Sequence, residues 1–170
     1  MFFSPHHFLM AHILIVCTAN ICRSPVGEAL LQDRLQKRGL SQWVVSSAGT
    51  WALWLRGASQ SSIDVCEKMG LDITGHRSRM IDEKLSEQAD LVLCMETGHV
   101  EALKAEFPSQ ANKIHLLSEM VGKSYSVPDP YGESLAQYQQ MSEELSMLID
   151  NGLERIVELA GENERRHLKQ

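Results

Sequence analysis

The sequence predicts a single three-layer α/β domain with a four-stranded parallel sheet and helices on both faces. Three observations carry that expectation. Four short apolar runs read as strands. Helical spacing fills the segments between them, and a strand–helix alternation gives a parallel sheet covered on both sides. The length of 170 residues suits one domain with a sizeable core.

The first strand is placed at His12 to Val16 (HILIV), a compact β-branched run. A helix follows over Ser24 to Arg38, with Val26, Ala29, Leu30 and Leu35 on one face, Pro25 in its first turn and Gly39 at its end. Trp43 to Ser46 reads as the second strand and Ala58 to Met69 as the second helix, stopped by Gly70. Asp90 to Met95 (DLVLCM) is the third strand, Thr97 to Phe107 the third helix and Lys113 to Leu117 the fourth strand. A loop of Gly, Ser and Pro residues runs on to Gly132. Ser134 to Gly161 is a long amphipathic helix, with a bend expected near Asn151 and Gly152. The expected organisation is an extension over 1–10, a domain over 11–161 and a charged tail over 162–170 that frays.

Apolar residues make up 44% and charged residues 22%, the balance of a soluble globular chain. A net charge of −6 argues against a nucleic-acid surface, which needs clustered Lys and Arg. It leaves room for one local basic pocket. The four cysteines, Cys17, Cys22, Cys66 and Cys94, are too few for a disulfide framework and read as reduced thiols of a cytoplasmic protein. The segment Met1 to Ala11 has neither the basic start nor the small-residue cleavage site of a signal peptide. It is also far shorter than the roughly 20 apolar residues that span a bilayer, so no membrane insertion is expected.

The chemistry is concentrated where the first strand ends. Cys17-Thr-Ala-Asn-Ile-Cys-Arg23-Ser24 is a tight loop opened by a cysteine and closed by an arginine at a helix start. Successive backbone N–H groups in such a loop form a nest for a tetrahedral oxyanion, and the helix terminus adds partial positive charge. Thr18, Ala19, Asn20, Ile21, Cys22, Arg23 and Ser24 are therefore the candidate phosphate cradle. Arg23 offers a planar fork to two phosphate oxygens. The same field favours a Cys17 thiolate, which could attack phosphorus in line. Cys22 has two readings: a packing residue, or a redox partner that forms a disulfide with Cys17. Cys66 reads as core. No metal and no cofactor are expected, because no metal-ligand spacing of Cys, His or carboxylates occurs. A thiolate nucleophile also needs an acid to protonate the leaving oxygen. Val127-Pro-Asp129-Pro-Tyr131-Gly132 offers Asp129, held between two prolines, although a solvated turn aspartate would look the same.

On C-T-A-N-I-C-R-S-P and D-P-Y the chain resembles the low-molecular-weight protein tyrosine phosphatases, over about Ala11 to Gly161. That resemblance implies Cys17 as nucleophile, Arg23 as phosphate ligand, Ser24 as hydrogen-bond donor to the thiolate and Asp129 as general acid. It further implies that Asn20 holds the cradle in an unusual backbone shape, supported by Ser47 and His76, and that Tyr131 lines the substrate cleft. The loop TWALWLRGA should form another wall, with Trp54 favoured over Trp51 for stacking on a substrate ring. The proline that the family often has after the glycine of this loop is missing from Gly57-Ala-Ser-Gln. GHRSRMI and LVLCMETGHVEAL make the chain most similar to the bacterial branch acting on tyrosine kinases of capsule and exopolysaccharide assembly. The implied partner is such a phosphotyrosine protein, with the chain itself a monomer or weak dimer.

Three rivals follow from the same loop. A thioredoxin-coupled arsenate reductase needs relay cysteines downstream, and none follows Cys94. A protein-arginine phosphatase tends to carry threonine before the second loop cysteine, where this chain has Ile21. A non-catalytic phosphate-binding module could lose Cys17 or Asp129, and both are present.

Overall fold

The computed structural model describes residues 9–170. Residues 1–8, most of the expected N-terminal extension, lie outside the described residues. Strands β1 (His12–Cys17), β2 (Val44–Gly49), β3 (Leu91–Cys94) and β4 (Ile114–Leu116) form one sheet in the order β2-β1-β3-β4. All three pairings are parallel. The helices are α1 (Arg23–Lys37), α2 (Gln60–Lys68), α3 (Glu83–Gln88), α4 (Thr97–Glu106) and α5 (Leu135–His167), with short 3-10 helices at Pro108–Lys113 and Leu117–Val121.

Successive residues of a strand point to opposite faces, and β1 shows the consequence. Ile13 and Ile15 enter a core shared with Val26, Leu30 and Leu31 of α1 and with Leu145, Leu148 and Ile149 of α5. Leu14 and Val16 enter the opposite core, with Ile81 and with Leu103 and Phe107 on and after α4. Burial on both faces explains why HILIV has no polar alternation. Helices thus cover both faces of the four-stranded sheet, as the strand–helix alternation predicts.

The chain leaves β1 for β2 on one side and later returns to β3 on the other. In such a sheet the crevice opens at the carboxyl ends of the two diverging strands. That point lies just beyond Cys17.

The departures from expectation are local. β2 runs on to Gly49, so Ser47 lies inside a strand, not at its end. The short helix α3 is not evident from periodicity; Asp82 caps it by accepting from the Leu85 N–H at 2.7 Å. No break interrupts α5 at Asn151 and Gly152. Gly152 instead allows close approach: a Cβ there would lie 2.8 Å from the Met120 Cβ. The tail expected to fray over 162–170 continues α5 as far as His167. Its polar residues have partners at the amino ends of the strands. Asn163 Nδ2 donates to the Asp90 carbonyl at 2.8 Å, and His167 Nδ1 lies 2.7 Å from the Asp90 carboxylate. Glu164 accepts from the Met10 N–H at 2.9 Å. Among the described residues no helix is long and apolar enough to cross a membrane.

Candidate active site

The loop from Cys17 to Arg23 turns sharply at Asn20, whose φ of 57° is left-handed. Asparagine tolerates that region better than most residues. Here its side chain also fixes the turn. Asn20 Nδ2 donates to Ser24 Oγ at 2.8 Å and to Ser47 Oγ at 2.9 Å, and Oδ1 accepts from the Arg79 N–H at 3.0 Å. His76 Nε2 lies 2.6 Å from the Asn20 carbonyl and donates to it. Asn20 and Ser24 are wholly buried. The loop also passes close to Gly49, where a Cβ would stand 2.3 Å from the Thr18 carbonyl oxygen. Only glycine fits there.

Because Ser24 Oγ accepts from Asn20, its hydroxyl proton is free for Cys17 Sγ, 2.9 Å away. Ser47 in turn donates to Glu28 Oε2 at 2.5 Å. The Asn20 amide therefore feeds donors in two directions, one toward the sulfur and one toward a carboxylate. Burial pushes the Glu28 carboxyl above its ordinary range, partly offset by the Ser47 hydrogen bond.

Arg23 is 1% exposed, a cost only strong pairing offsets. Nη1 donates to Glu96 Oε1 at 2.5 Å and to the Val127 carbonyl at 2.8 Å. Nη2 lies 3.4 Å from both Thr18 Oγ1 and Asp129 Oδ2. Nε is buried with no partner among the described residues. One edge of the guanidinium is thus anchored, while the Nε edge keeps a donor in reserve. Among the described residues, the backbone N–H groups of Thr18 to Cys22 likewise donate to no protein acceptor. A run of backbone donors without acceptors, beside the spare Arg23 donor, is what an oxyanion cradle needs.

A cleft of about 420 Å³ opens over the cradle. Cys17, Arg23 and Asp129 face it, and its walls are chiefly Ala19, Ile21, Trp51, Leu53, Met80 and Tyr131. Asp129 Oδ1 accepts from the Tyr131 N–H at 3.1 Å, an aspartate turn that holds the carboxylate at the mouth. Trp51 is among the residues lining the cleft; Trp54, which the sequence favoured for that wall, is exposed and is not among them. Tyr131 is among the lining residues. Cys22 is packed at 3.4 Å from Tyr138 Oη and 3.5 Å from Ser59 Oγ. Burial raises its thiol pKa above the ordinary value. Burial likewise holds the Cys66 thiol up at about 11. All four cysteines are free and buried. Among the described residues no group of three or more His, Cys, Asp or Glu side chains is placed to hold a metal ion.

Sequence reasoning missed Glu28, Glu96 and His99. His99 Nδ1 accepts from the Glu96 N–H at 3.2 Å, which leaves the proton on Nε2 to be donated to Thr18 Oγ1 at 2.9 Å. A protonated ring would set an N–H against the Glu96 N–H. Burial lowers the His99 pKa below its ordinary value, against the opposing pull of the Glu96 carboxylate. A folded value below the unfolded one means that the neutral ring stabilises the fold above about pH 6.5. That contribution is lost as the pH falls from about 6.5 through the folded value. The urea midpoint of the wild type should therefore fall more steeply on acidification than that of His99→Gln. Parallel midpoint curves would show that protonation of this ring does not oppose folding.

The chain matches the family model described as low molecular weight phosphotyrosine protein phosphatase over residues 12–162. Wzb of Escherichia coli K12, a low molecular weight protein-tyrosine-phosphatase, is 38% identical over 123 residues, covering 72% of this chain and 80% of its own. A protein-arginine-phosphatase of Bacillus subtilis is 35% identical over 138 residues, covering 81% and 91%. The crystal structure of a low molecular weight protein tyrosine phosphatase from T. tengcongensis superposes with a TM-score of 0.81 at 38% identity, covering 85% of this chain and 99% of that one. This chain belongs to the low molecular weight phosphotyrosine protein phosphatase family.

Proposed function

We propose that this protein hydrolyses phosphotyrosine in proteins through a cysteinyl-phosphate intermediate. The observation that carries the reading is the set of donors without protein acceptors around Cys17: Arg23 Nε and the loop N–H groups. They match the equatorial oxygens of a phosphoryl group in transfer. The Cys17 thiolate attacks phosphorus, forming the S–P bond as the P–O bond to tyrosine breaks. Asp129 gives its proton to the departing phenolate oxygen. A water then attacks phosphorus, Asp129 takes the water's proton, and the S–P bond breaks to return the thiolate and release phosphate. Ser24 stabilises the thiolate at both stages.

The kinship with a protein-arginine-phosphatase supports a second reading. The lining of the cleft favours the aryl ester. A guanidinium would need acceptors, and Asp129 is the one carboxylate among the residues lining the cleft. Ile21, Trp51, Leu53 and Met80 suit a flat apolar ring. Arsenate reduction is disfavoured by burial of the downstream thiols, since Cys94 is wholly inside the sheet and its pKa is pushed far up. The partner we propose is an autophosphorylated bacterial tyrosine kinase of polysaccharide export, met in the cytoplasm, on the sequence likeness noted above.

Initial rates on matched phosphotyrosine, phosphoserine and phosphoarginine peptides, with arsenate reduction as a control, test this. Phosphotyrosine should be fastest by a wide margin. A faster rate on phosphoarginine would transfer the assignment to the second reading.

A further inference from the structure

The Thr18 hydroxyl carries a proton that no protein group takes. Its oxygen meets two partners among the described residues, His99 Nε2 at 2.9 Å and Arg23 Nη2 at 3.4 Å. Both are donors. The Arg23 contact is long, but a guanidinium has no acceptor to offer at any distance. His99 is fixed as a donor at Nε2, because its Nδ1 accepts from the Glu96 N–H at 3.2 Å. A hydroxyl oxygen has two lone pairs and one hydrogen. The lone pairs face His99 and Arg23, which are 6% and 1% exposed and so hold the oxygen from the protein side. The direction left for the hydrogen is the cleft, which Thr18 lines together with Cys17 and Arg23. The contacts also close a ring. Arg23 pairs with the Glu96 carboxylate, the Glu96 N–H bonds His99, His99 bonds Thr18, and Thr18 returns to Arg23.

We propose that the Thr18 hydroxyl is a further donor to the phosphoryl group during transfer, aimed by His99. The proposal rests on the phosphatase reading and adds two residues to its machinery. Thr18 touches the substrate, and His99 is the positioning residue behind it. Thr18 Oγ1 and Arg23 Nη2 stand 3.4 Å apart, so their two hydrogens can converge on one phosphoryl oxygen. A donor fixed beforehand and pointed at growing charge needs no reorganisation when the reaction occurs. The ring supplies that fixing. Glu96 sets the guanidinium through its carboxylate and the imidazole through its N–H, so both donors are registered to one residue.

The test compares two pairs of variants. Thr18→Val keeps the shape and deletes the proton, whereas Thr18→Ser keeps the proton. His99→Asn keeps an acceptor for the Glu96 N–H but is too short to reach Thr18, whereas His99→Gln keeps a donor at the reach of Nε2. The readouts are kcat/KM on nitrophenyl phosphate and on a phosphotyrosine peptide, and inhibition by vanadate, an analogue of the phosphoryl group in transfer. Thr18→Val and His99→Asn should each lose roughly 10- to 100-fold on both esters, the scale of one hydrogen bond to a charged group. Vanadate inhibition should weaken alongside. Thr18→Ser and His99→Gln should stay within roughly threefold of the wild type. Because His99 acts through Thr18, adding His99→Asn to Thr18→Val should cost nothing further. Urea midpoints identify a variant that fails to fold, and the other residue's pair then carries the test. A near-native rate for Thr18→Val overturns the proposal. So does a Thr18→Ser variant as slow as Thr18→Val. Additive losses in the double variant would overturn the positioning role of His99. A wild type that hydrolyses nitrophenyl phosphate but no phosphotyrosine peptide would refute the substrate reading alone, since the Thr18 comparison still reads on nitrophenyl phosphate.

Discussion

Replacing Cys17 with serine is expected to remove turnover, by at least roughly 10,000-fold, while leaving the fold and oxyanion binding intact. Sulfur and oxygen differ little in size here, and the site around them is set by other residues. Asn20, Ser24, Ser47 and His76 fix the loop through their own hydrogen bonds. Arg23 remains anchored by Glu96 and Val127. The variant should therefore bind inorganic phosphate in a calorimetric titration with affinity near that of the wild type. What it lacks is a thiolate, since a serine hydroxyl beside Ser24 has no base to take its proton. Substantial residual hydrolysis by Cys17→Ser would rule out the covalent route.

Asp129→Asn should slow phosphotyrosine peptides on the order of 100- to 10,000-fold, the usual worth of a general acid. Tyrosine leaves poorly as a phenolate because its parent pKa is near 10. An activated ester such as nitrophenyl phosphate departs more readily and needs the proton less. The loss should be much smaller on that substrate. Asp129 stands 3.4 Å from Arg23 Nη2 but is not a donor to the anion, so phosphate affinity should change little. An equal loss on both esters would mean that another group supplies the proton. Glu133, the nearest further carboxylate in sequence, would be the next to replace.

How much of this was legible in the sequence depended on the distance between partners. The cradle is local: a cysteine, five residues and an arginine between a strand and a helix. Its geometry follows from backbone rules. Glu96 and His99 escaped notice because they reach Arg23 and Thr18 across 73 and 81 residues. Nothing in METGHV marks its glutamate as facing inward. Glu28 sits on α1 between Gly27 and Ala29, and nothing in that spacing says that its carboxylate reaches Ser47 on β2. The end of α5 is hidden from the sequence for a related reason. Charged residues without apolar spacing read as solvated, yet Asn163, Glu164 and His167 find partners on Asp90 and Met10 that only folding supplies. Trp51 and Trp54 stand three residues apart in one loop with no regular period, so only the folded loop shows that Trp51 is the one in the lining.

The pinning of α5 also has a practical side. The cradle lies beyond the carboxyl end of β1, whereas Asp90 and Met10 precede β3 and β1 at the opposite pole of the sheet. Both the outgoing end of α5 and the approach to β1 are gathered at that far pole. A surface linkage, a fluorophore or a fused reporter attached through Gln170 would thus project away from the mouth. Immobilised protein should present its cleft to solution, and a large macromolecular substrate could reach it without meeting the support.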